Sequence, residues 1–93
     1  MSEIYSKNPD IVFRKIADEC ILVPIRKSVA DLESIYALNQ TASRAWELID
    51  GKRNVEEIRQ AIVEEFDVSP LEAAEDLVQL FRKLKDTGNI SEL

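Results

Sequence analysis

The chain has 93 residues, of which 45% are hydrophobic and 32% are charged, and its formal net charge is −6. These proportions are typical of one folded domain over residues 1–93, and the negative charge argues against nucleic acid or an anionic membrane as the main partner. The sequence has no histidine, one cysteine and two glycines. Metal coordination, histidine-dependent catalysis and a phosphate-binding glycine loop therefore have little support, and we expect neither an enzyme nor a cofactor. No run resembles a signal peptide or a membrane span, which predicts a cytoplasmic protein.

The N-terminal part of the chain predicts a β-hairpin. Residues 1–9 are mostly polar, and we expect a mobile or loosely docked leader segment there. The runs IVFRKI (11–16) and CILVPI (20–25) are rich in β-branched residues, and the short polar connection between them is typical of a hairpin. Pro24 cannot donate to a strand ladder, so we expect it at a strand end or a sheet edge. Cys20 is expected to be a small buried hydrophobe and not a reactive thiol.

A third strand, over residues 34–38, is expected to run directly into the first helix. Residues 26–33 are expected to form a loop, which can contain a helical turn. Asn39 stands where a helix needs an N-cap, and the helix is expected to end at residues 50–51, an Asp-Gly pair. The only tryptophan, Trp46, shares one face of this helix with other apolar residues at helical spacing. We expect that face to lie at the centre of the core.

Two further helices have clear start signals. Asn54 is followed three residues later by a glutamate, a capping-box arrangement that predicts a helix over about residues 55–66. Ser69 as N-cap and Pro70 at the first helical position predict a third helix, which is expected to end near Asp86.

The apolar face of the third helix is broader than one packing contact requires. At about 100° of rotation per residue the face spans roughly 160°, because Ala73 and Leu80 widen one edge of it. Either the other elements cover the whole face, or this edge is open to bind another molecule and is bordered by Asp76, Lys83 and Thr87. The residues predicted at the centre of the face are Ala74, Leu77, Val78, Phe81 and Leu84.

The order of these elements predicts an α+β, winged-helix-like fold. A small three-stranded antiparallel sheet (residues 10–38) is followed by a three-helix unit (residues 39–90), without the alternation of strands and helices that a parallel sheet needs. A winged helix raises the alternative of DNA binding. Acidic residues outnumber basic ones on the last two helices, however, which disfavours that alternative.

Several short motifs follow one another between residues 34 and 90. They are LN before the first helix, a tryptophan and DG within and after it, VEEI at the start of the second helix, a DV-S-P turn, AAEDL, and a TGNI ending. Their order and spacing resemble the family of the pyrroloquinoline quinone biosynthesis protein PqqD. Residues 1–25 match that family only as a generic hairpin.

The resemblance implies a small peptide-recognition domain from pathways that modify ribosomally made peptides. Such a domain does no chemistry: it binds the leader of a precursor peptide as an added strand on the third strand, in a groove against the last helix. It then presents the leader, acting in trans, to a tailoring enzyme such as a radical SAM maturase or a lasso-peptide protease. The peptide-binding residues implied here are Ser34, Ile35, Tyr36, Ala37 and Leu38 on the strand, and Ala73, Asp76, Leu80, Lys83 and Leu84 on the last helix.

Three alternatives stay open at this level. The acidic outer face of the second helix is either a solvated surface or a docking surface for the enzyme. The open strand edge can pair with a second copy of the chain, which would give a homodimer. The rival function is a winged-helix module that binds another protein, or DNA, in a regulatory role.

Overall fold

The computed structural model describes residues 1–17, 19–25 and 36–93. The loop expected over residues 26–33 and the first two positions of the expected third strand lie outside the described residues. A three-stranded antiparallel sheet followed by three helices confirms the predicted α+β fold class. The elements are β1 (Tyr5–Lys7), β2 (Ile11–Ile16), β3 (Glu19–Pro24), β4 (Tyr36–Leu38), α1 (Gln40–Leu48), α2 (Val55–Phe66), α3 (Pro70–Asp86) and β5 (Ile90–Glu92).

The main sheet has the strand order β2-β3-β4, and both pairs of strands are antiparallel. β2 and β3 form the predicted hairpin, with Pro24 as the last residue of β3. At a strand end the missing backbone donor of proline leaves no gap inside the ladder. Because side chains alternate along a strand, Cys20, Leu22 and Leu38 share one face of the sheet, and all three are buried in the core.

Each helix begins at the capping residue that the sequence predicts. The side chain of Asn39 accepts a hydrogen bond from the backbone N–H of the third residue of α1, at 2.8 Å. Asn54 and Glu57 form a reciprocal capping box at the start of α2. The Ser69 hydroxyl accepts from the third residue of α3 at 3.1 Å. These bonds satisfy backbone donors that have no partner within the helix, so the helix starts are determined locally.

Trp46 lies in the core as predicted, with 3% of its surface exposed. The sheet, the three helices and β5 all contribute buried apolar side chains to the same cluster. Cys20 is buried in that cluster, as the sequence predicts. The core is therefore the contact region between one face of the main sheet and the helices.

The predicted centre of the α3 face was wrong at Val78, which is 45% exposed. Leu77, Phe81 and Leu84, which were also placed at the centre, are buried as predicted. Ala73 and Leu80, which were placed at the edge of the face, are buried too, at 1% and 9% exposed. The buried arc is therefore shifted towards Leu80, because β4 and α1 lie beside that residue.

The first residues of the chain are bound to the body of the protein, which differs from the expected mobile leader segment. β1 pairs antiparallel with β5, with Tyr5 opposite Glu92. The ring of Tyr5 stacks on that of Phe81, with 5.3 Å between the ring centroids. The backbone N–H of Val55 donates to the carbonyl of Glu3 at 3.0 Å. A strand of three residues carries too little alternation to be predicted, and its partner lies at the other end of the chain.

Among the residues that the structure describes, no helix is long and apolar enough to cross a membrane. In the same residues, no group of three or more acidic or thiol side chains is arranged to hold a metal ion.

Candidate binding groove

Within the part of the chain that the structure describes, β4 is an edge strand of the main sheet. It pairs with β3 on one side, and among the described residues no strand pairs with its other side. The backbone N–H and C=O groups along such an edge are available to another extended chain. The residues of this edge, Tyr36–Leu38, stand directly before the N-cap of α1, which anchors them to the helical part of the fold.

A groove of about 340 Å³ lies beside β4. It is bordered by β4, by the start of α1 and by one flank of α3. Four of its five α3 residues follow the i, i+3, i+4, i+7 spacing of a single helix flank, and the fifth, Leu77, lies next to that flank on the buried side. The lining residues are Tyr36 and Ala37 of β4, Asn39, Thr41 and Ala42 at the start of α1, and Asp76, Leu77, Gln79, Leu80 and Lys83 of α3.

Charged and aromatic side chains meet at the border of the groove. The Lys83 Nζ lies 5.6 Å from the ring centroid of Tyr36, a distance at which a cation is attracted to the face of the ring. Lys83 and Asp76 are both exposed, and neither forms an ion pair with another described residue. The groove therefore combines the small exposed part of the Leu80 side chain with one charge of each sign that has no ion-pair partner among the described residues.

A second depression, of about 410 Å³, lies on the opposite flank of α3. Its lining includes Tyr5, Val55 and Phe81 together with the exposed Val78. β4 does not line this depression. The second depression therefore has an apolar surface but no open edge of the main sheet beside it. The groove on the Leu80 flank has both features.

A family model described as coenzyme PQQ synthesis protein D (PqqD) matches residues 19–90. That span covers more than half of the chain and includes every residue that lines the groove on the Leu80 flank. The chain belongs to the PqqD family. It has no match among curated proteins.

The fold of this PqqD family member is similar to that of a solved structure, TbiB1 in complex with the TbiA(beta) leader peptide. The TM-score is 0.73, the sequences are 24% identical, and the match covers 92% of this chain and 94% of the other. The likeness therefore covers most of both chains. At this level of identity it shows a shared fold.

Five of the ten peptide-binding residues implied by the family resemblance line the groove. They are Tyr36, Ala37, Asp76, Leu80 and Lys83.

Three others do not line it, namely Leu38, Ala73 and Leu84, which are 6%, 1% and 0% exposed and belong to the core. Leu84 lies at the centre of the apolar face of α3, where the sequence also placed it, and Ala73 lies beside that centre. Leu38 is on the face of the sheet that packs against the helices. The last two, Ser34 and Ile35, lie outside the described residues.

Sequence reasoning missed the contribution of α1 and of Gln79. Gln79 falls on the same flank of α3 as Asp76 and Lys83, so helical spacing alone was a usable signal for it. Thr41 and Ala42 gave no such signal, because their position beside the groove depends on how α1 packs against α3.

The acidic outer face of α2 is partly neutralised by neighbouring groups. Glu56 is paired with Arg59, and Arg44 of α1 holds Glu65 through two hydrogen bonds of 2.8 and 3.1 Å. The hydrogen bonds from Arg44, followed by its positive charge, lower the pKa of the Glu65 carboxyl below its ordinary value. Glu57 is used in the capping box. These pairings favour a structural and solvated role for this face over a docking surface.

Proposed function

We propose that this PqqD family member is a non-catalytic peptide-binding protein. It binds the leader of a ribosomally made precursor peptide as an added strand on β4 and presents it to a tailoring enzyme. The observation that carries the proposal is the groove between the open edge of β4 and the Leu80 flank of α3. The membership of the PqqD family and the leader peptide bound to the similarly folded TbiB1 support it.

Strand addition explains how such a site can bind a peptide without a deep pocket. Main-chain hydrogen bonds along β4 would contribute affinity that does not depend on the peptide sequence, and side chains entering the groove would contribute specificity. Because side chains alternate along a strand, every second residue of the peptide would face α3. A volume of about 340 Å³ is at the small end for ligand pockets and fits a few side chains better than a large cofactor.

A partner enzyme, and not this chain, would carry out the modification of the precursor peptide. A radical SAM maturase and a lasso-peptide protease are the two enzyme classes that the family resemblance suggests, and action in trans on a leader held by this chain suits either class. Cytoplasmic location and a homodimer formed through the β4 edge stay predictions. In a homodimer of that kind, the second copy would compete with the leader for the same backbone groups.

The first test is an NMR titration of the isotopically labelled protein with the leader of a short open reading frame encoded beside it. Strand addition on β4 predicts amide shift changes confined to residues 36–42 and to residues 76–83. A leader that perturbs no amide, together with a clear response to duplex DNA or to an unrelated protein, would overturn the proposal.

A substitution that fills the groove provides a second test. Thr41 lines the groove from α1 and is only half-buried, so we expect Thr41→Trp to block the groove without disturbing the core. Leader affinity should fall at least tenfold while the melting temperature stays close to that of the wild type. The matched control is Glu75→Trp, an exposed position on α3 that does not line the groove. Equal affinity of the two variants would contradict the groove as the binding site.

A further inference from the structure

Two opposite charges lie on the groove flank of α3, one near each end of its apolar part. Asp76 and Lys83 are seven residues apart, which is two helical turns, or about 10 Å along the helix axis. Both line the groove, both are exposed, and neither has an ion-pair partner among the described residues. Leu80 lies between them on the same flank. The groove therefore presents a cation, an apolar contact and an anion in that order.

The position of the cation is defined by the sheet. Lys83 Nζ lies 5.6 Å from the ring centroid of Tyr36, and Tyr36 is the first residue of β4. The attraction of the ring for the ammonium group holds it at the end of the groove where β4 begins. Asp76 lies two turns earlier on α3. The two ends of the groove are thus electrostatically different for a strand that adds to β4.

The geometry of an added strand relates this order of charges to a pattern in the sequence of the bound peptide. Residues i, i+2 and i+4 of a strand face the same side, and the first and last of them are about 13 Å apart. That span is of the same order as the spacing of about 10 Å between residues 76 and 83 along the helix axis. Three consecutive groove-facing residues can therefore contact Lys83, Leu80 and Asp76 in turn.

On the function proposed above, we infer that Asp76 and Lys83 select the leader by its charge pattern. The bound segment carries an acidic residue at Lys83, a large apolar residue at Leu80 and a lysine or arginine at Asp76, with one residue between each pair. Whether the acidic residue comes first or last along the peptide reports the direction of the added strand. A leader with the two charges exchanged places like charges together at both ends of the groove and binds more weakly.

Selection from a random peptide library tests this inference without knowledge of the natural leader. A library of linear 12-residue peptides, displayed on their encoding mRNA, is selected for binding to the wild-type protein. We expect enrichment of acidic-x-apolar-x-basic, or of its reverse. Lys83→Glu should replace the acidic preference by a basic one, and Asp76→Lys should replace the basic preference by an acidic one. Lys83→Gln should remove the preference at its position without inverting it.

Two control variants change the same charges on the same helix outside the groove. Arg82→Glu and Glu75→Lys are exposed positions on α3 that do not line it, so the peptides that they select should match the wild-type pattern. For peptides selected by the wild type, exchange of one charged residue should weaken binding by about two- to fivefold, because exposed ion pairs are weak. Combining Asp76→Lys with Lys83→Glu should favour the exchanged peptide.

The results of the peptide selection distinguish the inferred charge pattern from the proposed peptide-binding function. The inference is wrong if the selected peptides shift the amides of β4 and α3 but lack the charge pattern. It is also wrong if Lys83→Glu selects the same charge pattern as the wild type. In both cases peptide binding at β4 remains supported. A library that yields no peptide able to shift those amides overturns both. Inversion of the pattern by the groove variants, without a change in the controls, supports both.

Discussion

At the scale of single residues, a few side chains connect parts of the chain that are distant in sequence. Lys7 of β1 lies 5.1 Å from the ring centroid of Trp46 in α1, and partial burial lowers the pKa of its ammonium group. Arg44 of α1 holds Glu65 near the end of α2 through two hydrogen bonds. The exposed Arg44–Glu65 pair contributes little to the free energy of folding, but its effect on the pKa of Glu65 can be measured by titration.

The Arg44–Glu65 pair leads to a pH-dependent prediction. The pKa of Glu65 is lowered in the folded protein, so the stabilisation from the pair is present above the pKa of the unfolded chain and is lost as the pH falls through the folded pKa. We expect the Glu65 carboxyl to titrate below 4.5, its ordinary value, in a carbon-detected NMR titration. In Arg44→Gln the midpoint should rise toward that value.

Lys52→Gln is the matched control for this titration. It removes one exposed positive charge that makes no hydrogen bond to Glu65, so the Glu65 midpoint should stay where it is in the wild type. An equal rise in both variants would mean that the net charge, and not the Arg44 contact, sets the pKa of Glu65.

At the scale of elements, the caps determine where each helix starts and thereby which side chains reach the groove. The register of α3 is set by Ser69 and Pro70, because the cap bond and the fixed backbone angle of proline both favour a helix that begins there. From that start, helical spacing carries Asp76, Leu80 and Lys83 to one flank. The groove thus depends on a cap that does not itself line it.

Removing this cap should destabilise the whole domain. We expect Ser69→Ala to cost about 1 kcal/mol, because one backbone N–H of the first turn loses its acceptor. In a domain of this size the melting temperature should fall by about 4–8 °C, measured by circular dichroism. Ser69→Asp, which retains an acceptor at the N-cap, should melt close to the wild type. A wild-type melting temperature in Ser69→Ala would show that the cap bond contributes nothing.

At the scale of the whole molecule, the two ends of the chain are joined. β1 and β5 pair antiparallel, and Ser6 and Ser91, which contact each other through their hydroxyl groups, are 85 positions apart. Further backbone bonds connect the first residues to the start of α2, including one from the N–H of Glu56 to the carbonyl of Met1 at 2.9 Å. The N-terminal residues therefore cover a side of α2 and α3 that would otherwise face solvent.

The N-terminal strand should contribute measurably to stability. Tyr5→Ala removes half-buried aromatic surface and the stack on Phe81, so we expect it to reduce the free energy of unfolding by about 2 kcal/mol in urea denaturation. Tyr5→Phe retains the stack and should stay close to the wild type. Tyr5 does not line the groove, so leader affinity should be preserved in both variants. If Tyr5→Ala had no effect on stability, the earlier expectation of a loosely docked segment would be correct.

The hairpin and the helix starts could be predicted because their causes are local. Asn39, Asn54 and Ser69 act on backbone groups within three residues, and the β-branched runs of β2 and β3 are neighbours in the chain. Helical spacing alone places Asp76, Leu80 and Lys83 on one flank of α3. That this flank and β4 form a peptide-binding groove was predicted only from the family resemblance.

By itself, then, the sequence determined the types and order of the main elements, their caps and the membership of a family with a recognisable pattern of motifs. The tertiary structure decided how far individual apolar side chains of α3 are buried, as the buried Leu80 and the exposed Val78 show. It also decided that Ala73 belongs to the core, that α1 borders the groove, and that β1 pairs with β5. The physical reason is that burial and strand pairing depend on surfaces contributed by residues far away in the chain, whereas capping and periodicity depend on close neighbours.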